Sequence, residues 1–142
     1  STFWTERAGS VAAINSLKLM NELKSWKIIT NKGLGIKQRW KEISNNYNLN
    51  MKIQGLNAIP KFYFANNNLL NKTFITQELL KKKILASNSV YLSIAHKDIF
   101  IDKYLNEFKK IVEKIALIEH HKKDIKDYLD SDIAHETFKR LN

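Results

Sequence analysis

Cysteine is missing from all 142 residues. Its absence excludes disulfides, thiolate nucleophiles and zinc–thiolate sites, and it fits a cytoplasmic protein. Arginine is nearly missing as well: Arg7, Arg39 and Arg140 stand alone among the 24 Lys and Arg residues. Arginine supplies the bidentate contacts to phosphate and guanine, so the net charge of +10 rests almost wholly on lysine. The lysines are scattered over helix faces and asparagine is frequent. That composition points to an AT-rich coding sequence, which makes a chain basic without a ligand, and it argues against nucleic acid. No apolar run approaches the ~20 residues that span a bilayer. No charged n-region, apolar h-region and cleavage site open the chain, so neither membrane nor secretion is expected. Internal repeats and long linkers are absent. What is present, 44% hydrophobic and 27% charged residues in 142, suits one globular domain.

Several familiar chemistries are also missing. No Gly-x-Ser-x-Gly elbow marks a nucleophile. Gly33-Leu34-Gly35 lacks the third glycine and the preceding strand of a dinucleotide fingerprint. His120 and His121 are adjacent, so on a helix they point about 100° apart and share a metal poorly; they read as a solvated helix end. His96 and His135 have no partner at zinc-ligand spacing. His96, just before Lys97-Asp98, reads as a capping or core-edge residue. No metal site is expected.

The periodicity predicts two helices, then strands and helices in alternation. Val11, Ile14, Leu17, Leu19 or Met20, and Leu23 recur at helical spacing over about Gly9 to Lys24. A second helix runs from about Ser25 to Asn45, with Trp26, Ile29, Leu34, Ile36, Trp40 and Ile43 apolar. Gly33 and Gly35 weaken its middle by roughly 1 kcal/mol each relative to Ala, which a bend, a close helix–helix approach or simple tolerance would explain. Met51–Leu56 alternates as a half-buried strand does, and Lys61–Ala65 is a second strand entered through Pro60. Asn66-Asn67-Asn68 reads as a turn and Lys72–Lys83 as a helix. Ile84–Ala86 and Val90–Ser93 read as a further strand pair, broken by Ser87-Asn88-Ser89. A long helix from Lys97 or Asp98 carries Phe100, Tyr104, Phe108, Ile111, Ile115 and Ile118, and closes at His120–Lys123. A short helix over about Asp124 to Leu129 and an irregular tail follow. The expected class is α+β: a helical arm over residues 1–24 and a small α/β sandwich-like domain over residues 25–142.

The chain opens at Ser1-Thr2-Phe3-Trp4-Thr5-Glu6-Arg7, with no initiator Met. Hydroxyls and an acid–base pair beside a helix start suit an anion such as phosphate, because the first N–H groups of a helix lack partners. Glu6-Arg7 reads as a functional pair or an ion pair at the helix entry, and Phe3-Trp4 as the wall for a planar ligand or as packing. The expectation is a piece of a larger protein.

These blocks resemble class III pyridoxal-phosphate aminotransferases, in the branch of glutamate-1-semialdehyde aminomutase. The opening seven residues and the Ala-rich helix after them are similar to a family segment lying shortly after the cofactor-bearing lysine. Ile84-Leu85-Ala86-Ser87-Asn88 and Tyr91-Leu92-Ser93-Ile94-Ala95-His96 resemble the strand and Ser-x-Ala-His turn that precede the family's C-terminal helix. Ala134-His135 with Phe138-Lys139-Arg140-Leu141 resembles the ending of one sub-branch.

The resemblance implies the C-terminal third of a fold-type I enzyme. The cofactor lysine, the Asp that pairs with the pyridine nitrogen and the ring-stacking aromatic would all lie upstream, so this chain holds no catalytic residue and is inactive alone. It implies cofactor-binding roles for Thr2 and Ser1, whose hydroxyls reach the pyridoxal phosphate held by the other subunit of a homodimer. It also implies that the domain covers the substrate side of the pocket. Relatives place an arginine there for a substrate carboxylate; this sequence has none between Arg39 and Arg140. The parent activity would be transamination rather than aminomutase chemistry, on a small amine or carbonyl. A second reading is a non-enzymatic basic module for RNA or a protein partner, resting on the +10 charge and on Trp4, Trp26 and Trp40 as exposed aromatics.

Overall fold

The computed structural model describes residues 5–135. Helix α1 (Ala8–Leu23) meets helix α2 (Ser25–Asn46) at a single residue. That residue, Lys24, sits in the left-handed region at φ 48° and serves as the end of one helix and the start of the next. Strands β1 (Met51–Gln54) and β2 (Lys61–Phe64) follow, then α3 (Asn68–Lys81), α4 (Asp98–His120) and a 3-10 turn over Ile125–Tyr128. The class is α+β, as the sequence predicts.

β1 and β2 pair antiparallel with Met51 opposite Phe64 and Ile53 opposite Phe62. Alternation along the strands turns those four side chains inward and leaves Lys52, Gln54, Lys61 and Tyr63 on the other face. The inner face packs on α2, α3 and α4. Trp40, Phe62, Phe74 and Phe108 are fully buried at the centre. Trp40 meets Phe62 edge-on at 4.9 Å between ring centres, and its indole N–H donates to the Tyr104 hydroxyl at 3.1 Å. Trp40 is therefore a core residue and not an exposed aromatic, which removes one support for a binding module. Trp26 is 44% exposed.

Three helices end in the same motif without a glycine. Asn48, Lys83 and Lys122 all adopt positive φ one residue past a helix cap. Leu49, Ile84 and Lys123 return their N–H groups to the Ser44, Leu79 and Ile118 carbonyls. This is the Schellman closure, which glycine favours because a Cβ is disfavoured in that conformation. In a chain with four glycines, these turns are held by the packing on either side of them.

Two expectations change. Asn68, read as part of a turn, opens α3, and its side-chain oxygen accepts from the Phe64 N–H at 3.0 Å. The second strand pair is not a ladder. Residues 84–86 lie outside any strand, and Ser89 makes one isolated bridge to Lys61. The segment nevertheless follows β2, with Phe62 N–H donating to Asn88 O, Val90 N–H to Pro60 O and Leu92 N–H to Ala58 O. Burial alternates along it as in a strand: Ile84, Ala86, Val90 and Leu92 pack against the core, while Leu85 and Tyr91 are 90% and 67% exposed. What is missing is the return bond: Pro60 has no N–H to give back to Val90.

The two glycines of α2 divide between the readings. A Cβ on Gly33 would overlap the Asn57 carbonyl and crowd Leu92, whereas one on Gly35 would meet nothing within 4 Å. Gly33 thus admits a close approach of the β1–β2 connection, not of another helix, and Gly35 is tolerated. Gly33→Ala is expected to destabilise the fold by about 1–3 kcal/mol, as overpacking does. Gly35→Ala is expected to stabilise it by up to about 1 kcal/mol through helix propensity. Urea unfolding of both variants checks this, and equal shifts would refute the assignment.

Candidate functional site

Thr2 and Ser1, the residues expected to bind a cofactor phosphate, lie outside the described residues, as do Phe3 and Trp4. The helix they lead into is described. None of its side chains is buried, and Val11, Ile14, Leu17, Leu19, Met20 and Leu23 are all exposed. The stripe that predicts this helix therefore faces away from the domain core.

The Ser-x-Ala-His segment is a turn. His96 N–H donates to Ser93 O at 3.2 Å. Ser93 returns its own N–H to His96 Nδ1 at 3.1 Å, with its hydroxyl 3.0 Å from the same nitrogen. A backbone N–H can only donate, so Nδ1 accepts and the neutral ring carries its proton on Nε2. Lys32 of α2 fastens the turn from below: its ammonium donates to the His96 carbonyl at 3.0 Å and pairs with Asp98. Asp98 also sits in the first turn of α4, where a carboxylate is favoured. The His96 ring does not cap α4; it bonds back to Ser93 and is half-buried just before that helix. His120 and His121 are exposed at the end of α4, their rings nearly perpendicular at 88°. Among the described residues no group of three or more His, Asp or Glu could hold a metal.

Ser87-Asn88-Ser89, the stretch expected near a substrate, is clamped to β2. Asn88 takes the Phe62 N–H on its carbonyl at 3.0 Å and gives its side-chain N–H to the Phe62 carbonyl at 3.3 Å. Asn88 and Ser89 line a hollow of about 380 Å³ with Lys61, Tyr63, Asn68, Leu69 and Lys72. Two half-buried lysines, a phenol and two amides line it, a set able to hold an anion. Sequence reading missed this group, although the β2 alternation places Lys61 and Tyr63 opposite the buried Phe62 and Phe64 and so gave the signal.

A larger cavity of about 640 Å³ lies where α3 meets the segment after the 3-10 turn. Gln77, Lys81 and Asp130 of its lining belong to a charge network. Glu78 takes Lys81 at 2.8 Å and Lys114 at 3.1 Å, and Lys81 reaches Asp130 at 2.7 Å. Gln77 donates to the Tyr128 carbonyl at 3.0 Å and accepts the Asp130 N–H at 2.7 Å. The Lys114 ammonium stands 5.0 Å from the centre of the Phe74 ring. Burial pushes the Glu78 carboxyl up, but hydrogen bonds from Lys81, Gln77 and Lys114 outweigh it and hold the pKa below its ordinary value.

No protein-family profile matches the chain, and no curated protein matches it. A solved structure does: the PLP internal aldimine form of the FumI protein of Sphingopyxis sp. MTA144, with a TM-score of 0.73 at 18% identity. The likeness covers 84% of this chain. The chain has the fold of a segment of that protein. It spans 30% of the matched chain's length.

A group whose folded pKa is depressed contributes stability above its unfolded pKa and loses it as pH falls through the folded value. Glu78 therefore stabilises the α3–α4 contact at neutral pH, through Lys81 and Lys114, and that contribution fades on acidification through the carboxylate range. Glu78→Gln should lower the urea midpoint near neutrality and leave the variant less sensitive to acid than the parent chain. Parallel pH profiles for the two would refute the role.

Proposed function

We propose that this chain is the C-terminal segment of a PLP-dependent aminotransferase or aminomutase of class III, in the glutamate-1-semialdehyde aminomutase-like branch. The observation that carries the reading is the fold match over 84% of the chain to part of a protein solved with PLP. The opening Ser1–Arg7 block and the Ser93–His96 turn before a long helix support the same family.

The residues fit a supporting role toward the cofactor rather than a covalent one. Among the described residues no lysine is buried. Of the half-buried lysines, Lys32 and Lys37 are spent as charged donors, Lys32 to Asp98 and the His96 carbonyl and Lys37 to the Gly55 carbonyl and Asn57, and Lys61 and Lys72 line the hollow beside β2. A lysine that attacks a carbonyl must be neutral, which needs a desolvated or otherwise depressed amine. In this reading PLP supplies the electron sink for amino-group transfer and is anchored through a lysine outside these residues. Thr2 and Ser1 donate hydroxyls to its phosphate from the other subunit, and the domain over residues 25–142 covers the substrate side. Lys61 and Lys72 are the cations offered there in place of arginine. Residues 1–24 form the arm between the cofactor domain and the partner subunit of a cytoplasmic homodimer. The isolated chain is inactive.

The test uses the longer protein and this chain together. In the longer protein Thr2→Ala should speed cofactor loss by the worth of one charge-assisted hydrogen bond, about 1.5–3 kcal/mol, and Thr2→Ser should do so much less. Equal dissociation rates would remove Thr2 from the site. The 142-residue chain mixed with PLP and reduced with borohydride should show no lysine labelled stoichiometrically, and one such lysine by peptide mapping would overturn the assignment.

Contiguous apolar patches beyond a few hundred Å² are uncommon on soluble monomers. The exposed stripe of α1 makes the isolated chain self-associate in this reading, and removing the residues before Ser25 should shift it toward monomer. Light scattering on both decides this. A clean monomer of the intact chain at high concentration would contradict it.

A further inference from the structure

We infer that a separate cavity, bounded by α2, the exit of α3 and the start of α4, binds a small carboxylate with an apolar tail. This site is distinct from the phosphate and substrate contacts proposed above and does not depend on them. The cavity has a volume of about 350 Å³, within the range of small-molecule pockets. Its walls are aliphatic and aromatic: Ile36 from α2, Ile84 and Val90 from the connector, Phe100 and Ile101 from α4. The floor reaches the core, since Ile36 and Tyr104 are buried. The lips are open, with Leu85 90% and Phe100 58% exposed.

The polar groups lining it are of one kind. Lys83, His96, Lys103 and Tyr104 line the cavity, and no carboxylate does. Asp98 and Asp102 instead line a neighbouring hollow with Arg39 and Lys32, and Asp98 is taken by Lys32. Glu107, one turn after Lys103, pairs with Lys110 at 2.6 Å. Lys83 and Lys103 make no ion pair among the described residues. An apolar tail covered by these walls leaves the water that Leu85 and Phe100 now meet. A carboxylate at the mouth then faces two lysines and no competing anion, so charge selects the acid over a neutral or cationic amphiphile of the same tail.

The test is an amide NMR titration of the 142-residue chain with octanoate, octanol and octylammonium. Octanoate should saturate at one equivalent, with the largest shifts at Ile84, Val90, Ile101 and Tyr104. Octylammonium should bind at least tenfold more weakly. The double variant Lys83→Glu, Lys103→Glu, checked for an unchanged amide spectrum, should reverse that order. Equal affinity for the three head groups would overturn the proposal. So would shifts centred on the α1 stripe, or failure to saturate. If the double variant does not fold, the head-group series on the unaltered chain decides alone.

Discussion

The indole of Trp40 is the point on which the domain closes. It lies on α2, meets Phe62 of β2 at 4.9 Å and Phe108 of α4 at 6.0 Å, and hands its only polar hydrogen to Tyr104. One side chain thus ties a helix, the sheet and the longest helix together. Edge-to-face aromatic contacts add directional attraction to area burial, and the N–H bond removes the penalty of hiding a donor. The segment after the 3-10 turn is fastened differently: Gln77 bonds the Asp130 N–H, Lys81 pairs with Asp130, and Glu78 ties Lys81 of α3 to Lys114 of α4. The centre is held by apolar contact, and this segment in part by ionised carboxylates.

The helices and both strands were legible because their buried side chains recur at 3.6- or 2-residue spacing. Boundaries and irregular stretches were less so. The Asn66–Asn68 run looks like a turn from composition, but Asn68 bonds the last strand amide and α3 begins on it. The stretch from Ile84 to Ser93 has apolar residues in a strand-like order and bonds at antiparallel spacing, yet the bonds are unreciprocated, because Pro60 has no N–H to return to Val90, and no ladder forms. Trp40 was misplaced because helical spacing alone does not distinguish a tryptophan on the rim of an apolar stripe from one at its centre. For the site, the Ser93–His96 turn was readable from sequence, whereas the convergence of Lys61 with Lys72 required the tertiary placement of α3 beside β2. Thr2 and Ser1 remain readings of the sequence.

The absence of arginine between Arg39 and Arg140 shapes the hollow beside β2 and the cavity at the start of α4. Lysine offers a compact charge on a flexible stem and lacks the planar fork that fixes a carboxylate in one orientation. A surface built from Lys61, Lys72, Lys83 and Lys103 selects the sign of a ligand's charge more sharply than its geometry.

Lys24 has a mechanical consequence. It is the whole connection between α1 and α2, and α1 buries no side chain of its own. The heading of α1 is then governed largely by two backbone torsions at one residue. At about 1.5 Å of rise per residue, the 16 residues of α1 form a lever of about 24 Å. A rotation of about 10° at the joint would carry the far end of such a lever sideways by about 4 Å, more than the length of a hydrogen bond. The position of the start of α1 is thus set by that joint more than by packing on the domain.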